Sequence, residues 1–358
     1  MSNIRVFGKV SERFIEELKN SSAAFILTIG TTDTSLIPGI TVAGASPELT
    51  HYTPPADAEF LKLGKCLVIP FPPVTPDGKP TPALVSRACL LLLDIPSIIV
   101  DAGSRVKPLI PHVDLVGEPG KDIRTGTALS ENGARGILEN SKMFGKEIAD
   151  TFDIIIIGES IPAGTTTAMA IMIALGYDAW GKVSSASPSN PVELKTNVVK
   201  EGLRRASLPR TDDPLVAVSR VGDPVHLAVA GIAAGALEEG SRVLLAGGTQ
   251  MCACVAILKH LGLNLDPEMI EVGTTRWIIE DKTADMVGLL SQIWPDYALL
   301  VADYSMSNSR YPGLRAYDEG FVKEGVGMGG LLVTALVRGF SPDEILRKVE
   351  EEYERMIR

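Results

Sequence analysis

The stretch Ile154-Ile155-Ile156-Ile157-Gly158-Glu159-Ser160-Ile161-Pro162-Ala163-Gly164-Thr165-Thr166-Thr167 decides how the rest of the chain is read. Four consecutive isoleucines suit a strand buried on both faces, because β-branched side chains pack well on a pleated surface and an unbroken apolar run leaves no face for solvent. The glycines then mark a turn, and the residues after Gly164 open a helix. A glutamate thus stands between two glycines where a strand gives way to a helix. A second carboxylate in a glycine-rich helix opening lies near the C-terminus, in Asp318-Glu319-Gly320-Phe321-Val322-Lys323-Glu324-Gly325-Val326-Gly327-Met328-Gly329-Gly330. Glycine lets a backbone approach a ligand closely, and the first turn of a helix carries unpaired N–H groups that hold anions. Two such turns imply an anionic ligand beside two carboxylates.

Working outward, short aliphatic runs recur at 24–29, 66–70, 97–100, 153–157, 242–246 and 297–302, and each reads as a buried strand. Helical periodicity fills the intervals, at 130–149, 166–175, 191–206, 225–237, 249–261 and 283–293. The alternation predicts an α/β fold, a mainly parallel Rossmann-like sheet covered by helices. Ligands of such sheets bind beyond the carboxyl ends of the strands, and Gly30, Gly103, Gly158, Gly164, Gly247 and Gly248 fall at those ends. The amphipathic segments 11–19 and 341–358 are expected to pack together as a small helical subdomain of residues 1–20 plus 341–358, beside a large α/β domain of residues 21–340. Ser341-Pro342-Asp343-Glu344 supplies an N-cap, a proline at the first helical position and early acids. The proline-rich segment 69–82 reads as an extended surface excursion, a lid or an oligomer arm.

Composition narrows the partners. With 45% hydrophobic and 22% charged residues over 358 positions, the chain has the makings of an ordinary globular protein. Its formal net charge of −10 and the lack of clustered Lys and Arg argue against a nucleic-acid or acidic-membrane surface. No apolar run is long enough for a membrane span and the first ten residues lack a signal-peptide core. Cys66, Cys89, Cys252 and Cys254 form neither a CxxC pair nor a zinc spacing, so reduced core thiols and a cytoplasmic address are expected. His51, His112, His226 and His260 make no HxxxH or HEXXH pattern, and neither a metal nor a cofactor is expected.

Each candidate group has a plain reading beside its chemical one. Glu324 can simply favour the positive end of a helix dipole; yet Gly325, Gly327, Gly329 and Gly330 surround it, and a glycine costs about 1 kcal/mol in a helix interior, so helix stability alone would not choose them. Glu159 can be part of a capping arrangement with Thr165, Thr166 and Thr167, or these hydroxyls and the nearby N–H groups can hold a phosphate or carboxylate. Gly247-Gly248-Thr249 resembles a phosphate-cradling turn, although the chain has no GxxxxGK[ST] or GxGxxG motif. Ser305 and Asn308 lie in a polar loop after the last strand, suited to hydrogen bonding. Lys195 has the ordinary reading of a solvated lysine, as do Arg105, Lys107, Arg124 and Arg310.

On these two glutamate loops the sequence resembles the nicotinate-nucleotide:dimethylbenzimidazole phosphoribosyltransferase family of cobamide lower-ligand assembly. Bacterial members carry a GEMGIGNTT-like segment, similar to residues 158–166 here, and a GEGTGA-like segment, similar to residues 323–328, in the same order and at similarly wide separation. Weaker likeness runs through roughly 97–337, including Asp213-Pro214-Leu215 before an alanine-rich helix and Arg124-Thr125-Gly126-Thr127 at a GTR-like turn. The chain departs from the family at residues 29–34, where bacterial members have an AGDHG-like sequence that helps shape the base pocket, and at Ser160 and Pro162. It therefore looks like a divergent, archaeal-type branch, in which phosphoribosyl transfer carries over better than the identity of the acceptor.

The resemblance implies a reaction in which a nitrogen of an azole or purine base displaces nicotinate from nicotinate mononucleotide, giving an α-linked ribonucleotide 5′-phosphate. It implies Glu324 as the general base and Glu159 as the group that orients the ribose or stabilises charge on it. Backbone groups at Gly164, Gly247 and Gly248, with Thr165 and Lys195, are the candidates for the phosphate, and Thr166, Thr249, Ser305, Asn308, Gly325 and Gly327 are further candidate substrate contacts. A homodimer is expected by the same resemblance. Other readings consistent with the residues are phosphoribosyl transfer to a different base and a nucleotide-binding sensor without catalysis.

Overall fold

The structure, a computed structural model, describes residues 3–44, 46–74 and 78–358. Of the proline-rich excursion, residues 75–77 therefore lie outside the described residues, as do residues 1 and 2 of the N-terminal segment. Among the described residues, eight strands form one sheet: β1 (Ile4–Gly8), β2 (Ala23–Gly30), β3 (Ser97–Gly103), β4 (Val113–Asp114), β5 (Ile154–Ser160), β6 (Arg242–Ala246), β7 (Ile270–Thr275) and β8 (Ala298–Ala302). Their spatial order is β1-β8-β7-β6-β5-β2-β3-β4. All neighbours run parallel except β1, which pairs antiparallel with β8 at one edge. From β2 the chain winds outward to β3 and β4, then returns to place β5 on the other side of β2. The order of winding thus reverses between β2 and β5, and Glu159, opposite Thr28 in that pairing, stands at the carboxyl end of the reversal.

Strand side chains alternate between two cores, as the two-residue period requires. Ile155, Ile157, Val243 and Leu245 enter one core with the helices Glu131–Ala149, Gly164–Ala174, Val192–Arg205, Pro214–Val221, Pro224–Glu238, Gln250–His260 and Met286–Ile293. Ile154, Ile156, Leu244 and Ala246 enter the other with Glu12–Asn20, Thr53–Leu63, Ala83–Leu93, Met328–Val337 and Pro342–Ile357. Burial of strands on both faces is what the unbroken aliphatic runs require. The first helix packs on Met328–Val337 through Phe14 and Leu18, and the last packs on Ala83–Leu93. Ser341 and Glu344 form the reciprocal capping box at the start of Pro342–Ile357.

The structure corrects the reading at four places. Residues 66–70 are irregular rather than extended, because the buried carboxylate of Glu59 takes the N–H groups of Leu67 and Val68 at 2.5 and 2.8 Å, which a neighbouring strand would otherwise use. β1 and β7 had no place in the expected set, nor did the two-residue β4. Arg5 interrupts the apolar character of β1, and Glu271, Gly273, Thr274 and Thr275 dilute that of β7, although all of β7 is buried.

Candidate functional site

The two glutamate loops meet across a pair of glycines. A side chain at Gly158 would fall 2.6 Å from the Cα of Gly327, and one at Gly327 would strike the Phe25 ring at 2.5 Å, so only glycines allow the two backbones to touch. Val326 N–H then donates to the Glu159 carbonyl at 2.9 Å, joining the loops directly. The second loop is bent sharply to reach this position. Val322, Lys323 and Val326 all have left-handed φ values of 65°, 43° and 55°, with Gly325 and Gly327 also at positive φ. β-branched residues in that region are strained, and such strain persists only where the surroundings enforce it. Thr275 Oγ1 helps by donating to the Lys323 carbonyl at 2.7 Å.

The joined loops line a cavity of about 490 Å³ at the carboxyl ends of β5 and β6. Its lining combines two chemistries. Ile40, Val42, Leu49, Tyr52, Phe71 and Val74 contribute apolar surface, whereas Ser184, Ser185, Thr165, Thr249, Lys195 and Lys323 contribute hydroxyls and ammonium groups. The helix Gly164–Ala174 begins at this lining from Ala163, which has φ 64° and supplies no side-chain cap. A helix start without a side-chain cap, beside hydroxyls and a lysine, is suited to a bound anion.

The two oxygens of Glu324 have different surroundings. Oε1 accepts from Gly329 N–H at 2.8 Å and from Gly325 N–H at 3.3 Å, so the side chain does cap the helix Met328–Val337. Oε2 is buried and has no hydrogen-bond partner, while the residue lines the cavity. Burial pushes the Glu324 carboxyl up to about 8, against the pull of the two glycine N–H groups and with a further push from the Glu159 charge. Glu159, 2% exposed, is pushed up to about 7, by burial first, with Asp223 and Asp57 adding to the rise and His226 opposing it. Gln250 Nε2 donates to its Oε1 at 2.9 Å. Two interacting carboxyls near neutrality titrate as a pair.

Lys195 is buried, and its Nζ donates to the Ser184 carbonyl at 2.7 Å. Burial, then the nearby Lys323, push its ammonium down to about 7, and Asp281 opposes them. Lys323 is buried too, and its Nζ lies 2.6 Å from Asp281 Oδ2. One aspartate thus faces two ammonium groups, so this part of the cavity has room for a further negative charge. An arriving phosphate would raise the Lys195 pKa and strengthen its own contact.

Comparison with known proteins extends this reading. The family described as phosphoribosyltransferase matches residues 92–271, which contain Glu159, Lys195 and Gly248. The chain belongs to the phosphoribosyltransferase family. Among relatives of this phosphoribosyltransferase, a UPF0284 protein of Pyrobaculum aerophilum is 56% identical over 92% of the chain and 95% of its own length. A UPF0284 protein of Sulfolobus acidocaldarius is 52% identical over 96% and 99%. The fold is similar to that of the nicotinate-nucleotide-dimethylbenzimidazole phosphoribosyltransferase of Thermus thermophilus, with TM-score 0.62 and 18% identity over 93% of this chain and 84% of that one.

Within the phosphoribosyltransferase the expected site residues separate into two groups. Glu159, Gly164, Thr165, Lys195, Gly248, Thr249, Glu324 and Gly325 line the one cavity. Thr166, Gly247, Gly327, Ser305 and Asn308 do not. Thr166 is buried in its helix, a side chain at Gly247 would meet Met251, and Gly327 packs against Gly158. Ser305 bonds Ser307 within its own loop beyond β8. Arg105, Lys107, Arg124 and Arg310 each pair with neighbouring aspartates or glutamates. Lys107 lies 2.6 Å from Asp101 and 3.2 Å from Asp114, balancing the one group of metal-capable side chains among the described residues, Asp101, His112 and Asp114.

Several cavity residues carried no local signal. Asp57 is buried between the hydroxyls of Thr81 at 2.6 Å and Ser160 at 2.7 Å, and burial pushes its carboxyl up to about 6. Gln250 and Ile278 enter from elements distant in sequence. Lys323 was visible only as a neighbour of Glu324, although a lysine next to a glutamate inside a glycine-rich loop is a usable clue.

Proposed function

We propose that this phosphoribosyltransferase transfers the phosphoribosyl group of nicotinate mononucleotide to a ring nitrogen of an azole or purine base such as 5,6-dimethylbenzimidazole. The products are nicotinate and an α-ribonucleotide 5′-phosphate for cobamide assembly. One observation carries the reading: a single cavity is lined by Glu324, whose Oε2 is buried without a hydrogen-bond partner, and by two buried lysines, Lys195 and Lys323. The phosphate lies against Lys195, Thr165 and the start of Gly164–Ala174, and the apolar side chains of the lining receive the acceptor ring.

In the transfer, a lone pair of the acceptor nitrogen forms the bond to the anomeric carbon while the bond to the pyridinium nitrogen breaks. Its electron pair neutralises the pyridinium, so the leaving group departs without protonation. The other ring nitrogen of the acceptor gives its proton to Glu324 Oε2. A base near neutral pKa balances the fraction ionised against proton affinity. Positive charge develops on the ribose in the transition state, and the Glu159 carboxylate stabilises it in a site shielded from water.

Incubation with nicotinate mononucleotide and a panel of dimethylbenzimidazole, adenine and phenols, with nicotinate release and nucleotide products followed by mass spectrometry, tests this reading. Acceptor-dependent release of nicotinate is expected. Glu324→Gln is expected to lower turnover at least 100-fold while nucleotide affinity stays within about threefold, the usual size of a general-base contribution. Nucleotide binding without release across the panel would instead make the protein a sensor. The homodimer expected by resemblance belongs to the same proposal and is checked by sedimentation.

A further inference from the structure

Behind Glu159 runs a chain of three side chains that the mechanism above does not use. Gln250 Nε2 donates to Glu159 Oε1 at 2.9 Å, and Gln250 Oε1 lies 3.0 Å from His226 Nε2. His226 Nδ1 lies 2.5 Å from Asp223 Oδ2. The other Asp223 oxygen accepts the Val225 and His226 N–H groups at 2.8 and 3.0 Å, capping the helix Pro224–Glu238. Asp223 and His226 have no exposed surface, and only Gln250 and Glu159 reach the cavity. The first turn of the neighbouring helix is shaped around the amide, since a side chain at Gly164 would fall 2.0 Å from Gln250 Oε1.

Stability gives a weak reason for this arrangement, because a buried charge pair is often no better than apolar packing of the same volume. Its hydrogen-bond directions give a stronger one. An amide offers a donor at one end and an acceptor at the other. With Nε2 turned to Glu159, the amide donates to an ionised carboxylate, and Oε1 requires a proton on His226 Nε2. Asp223, already accepting two N–H groups, takes the proton on Nδ1. The imidazole is then doubly protonated. Burial alone would pull the His226 pKa down, but the charge and hydrogen bond of Asp223, with Glu159 and Gln250, outweigh it and leave it above the ordinary value.

The opposite orientation of the amide places its oxygen against Glu159 and its NH₂ against His226 Nε2. That arrangement requires a protonated Glu159 and a neutral imidazole. Both arrangements hold the same number of protons, so the amide direction and the charge on Glu159 are linked. We propose that Asp223, His226 and Gln250 are positioning residues that hold Glu159 ionised and aimed into the cavity, the paired imidazolium locking the amide in the orientation that donates to the carboxylate. They act through Glu159 and touch no reacting atom. Among the described residues, Asp57, through Ser160, and Glu324 are the other charged groups facing Glu159, and both oppose its ionisation, as does Asp223; the buried thiol of Cys254 is the remaining titratable group within reach. His226 is therefore the cation that counters them.

The inference rests on the transferase reading only for its kinetic consequence, and its test has a part independent of turnover. Full-length protein labelled at histidine nitrogens and glutamate carboxyls is titrated by NMR, with His226→Gln and Glu159→Gln assigning the two signals. The chain has four histidines, so the first assignment is direct. The expected result is a His226 ring doubly protonated from pH 6 to 8, and a Glu159 midpoint displaced upward by about one pH unit in Gln250→Leu, the loss of one charge-assisted donor. Gln250→Leu leaves the Asp223–His226 pair intact and so serves if His226→Gln does not fold. In kinetics, Gln250→Leu should lower kcat about 10–100-fold, keep KM for the nucleotide within threefold and move the rising limb of the pH profile to higher pH. A neutral His226 at pH 7, or a Glu159 midpoint unmoved in Gln250→Leu, would overturn the relay. Absence of transfer by the parent protein would remove the transferase reading and leave the titration to decide the relay.

Discussion

At the scale of single residues, the division of labour within Glu324 has a measurable consequence. Oε1 is tied to the backbone by two N–H groups, whereas Oε2 is buried without a partner and is the atom proposed to take the substrate proton. A general base must be ionised, so turnover should rise with pH through the titration of the paired carboxyls, which burial pushes up to about 7 and about 8. A pH–rate profile of kcat is expected to show this limb, and a flat profile from pH 6 to 9 would remove the assignment. Lys195 belongs to the opposite role. Replacing it with methionine keeps the buried stem and removes the charge, so nucleotide affinity should fall about 10–100-fold by calorimetry, the size of a lost charge-assisted bond of ~1.5–3 kcal/mol.

At the scale of elements, the site depends on how closely two loops approach. Gly327 combines φ 73° with a Cβ direction that points into the Phe25 ring, so its substitution is disfavoured by conformation and by space together. Gly327→Ala is expected to destabilise the protein by about 2–4 kcal/mol, within the range of strained or overpacked substitutions, and to weaken turnover by separating Glu159 from the Glu324 loop. Urea unfolding measures the first effect. A change below about 0.5 kcal/mol would mean that the two loops do not need this contact. Gly327 thus serves the site without facing the ligand cavity, a distinction that its position in a glycine-rich motif does not reveal.

At the scale of the whole molecule, buried ionisable groups make stability depend on pH in opposite directions. A carboxyl whose folded pKa is raised binds more protons in the folded state, so it lowers stability as pH climbs from the unfolded to the folded value. Asp57, Glu159, Glu271 and Glu324, raised to about 6, 7, 8 and 8, place that loss between about pH 4 and 8. Lys195, lowered to about 7, binds fewer protons when folded, and its contribution rises from about pH 7 to 10.5. Glu271 separates stability from function, since it is buried, lies outside the cavity and accepts one N–H from Ser11 at 2.9 Å. Glu271→Gln should raise stability at pH 9 by on the order of 3 kcal/mol without altering turnover. Equal unfolding curves at pH 5 and pH 9 for parent and variant would contradict this.

Local chemistry alone determined a large part of this protein. Short aliphatic runs without alternation suit strands covered on both faces, so the parallel layered fold was legible in Ile154-Ile155-Ile156-Ile157 and most of its counterparts. Helix starts were legible from caps such as Ser341. Glu324 stood out because the glycines around it sacrifice helix stability, and Glu159 because it stands between glycines where a strand gives way to a helix. Only the tertiary structure decided the rest. It placed Asp57, Gln250 and His226 around Glu159 from distant segments, and it turned the 66–70 run from an expected strand into a loop by offering its N–H groups to Glu59. It also buried Lys195, which its own helix would have left in solvent. The reason is physical: periodicity and capping depend on neighbours in sequence, whereas burial, pKa and hydrogen-bond direction depend on groups that meet only when the sheet brings their strands together.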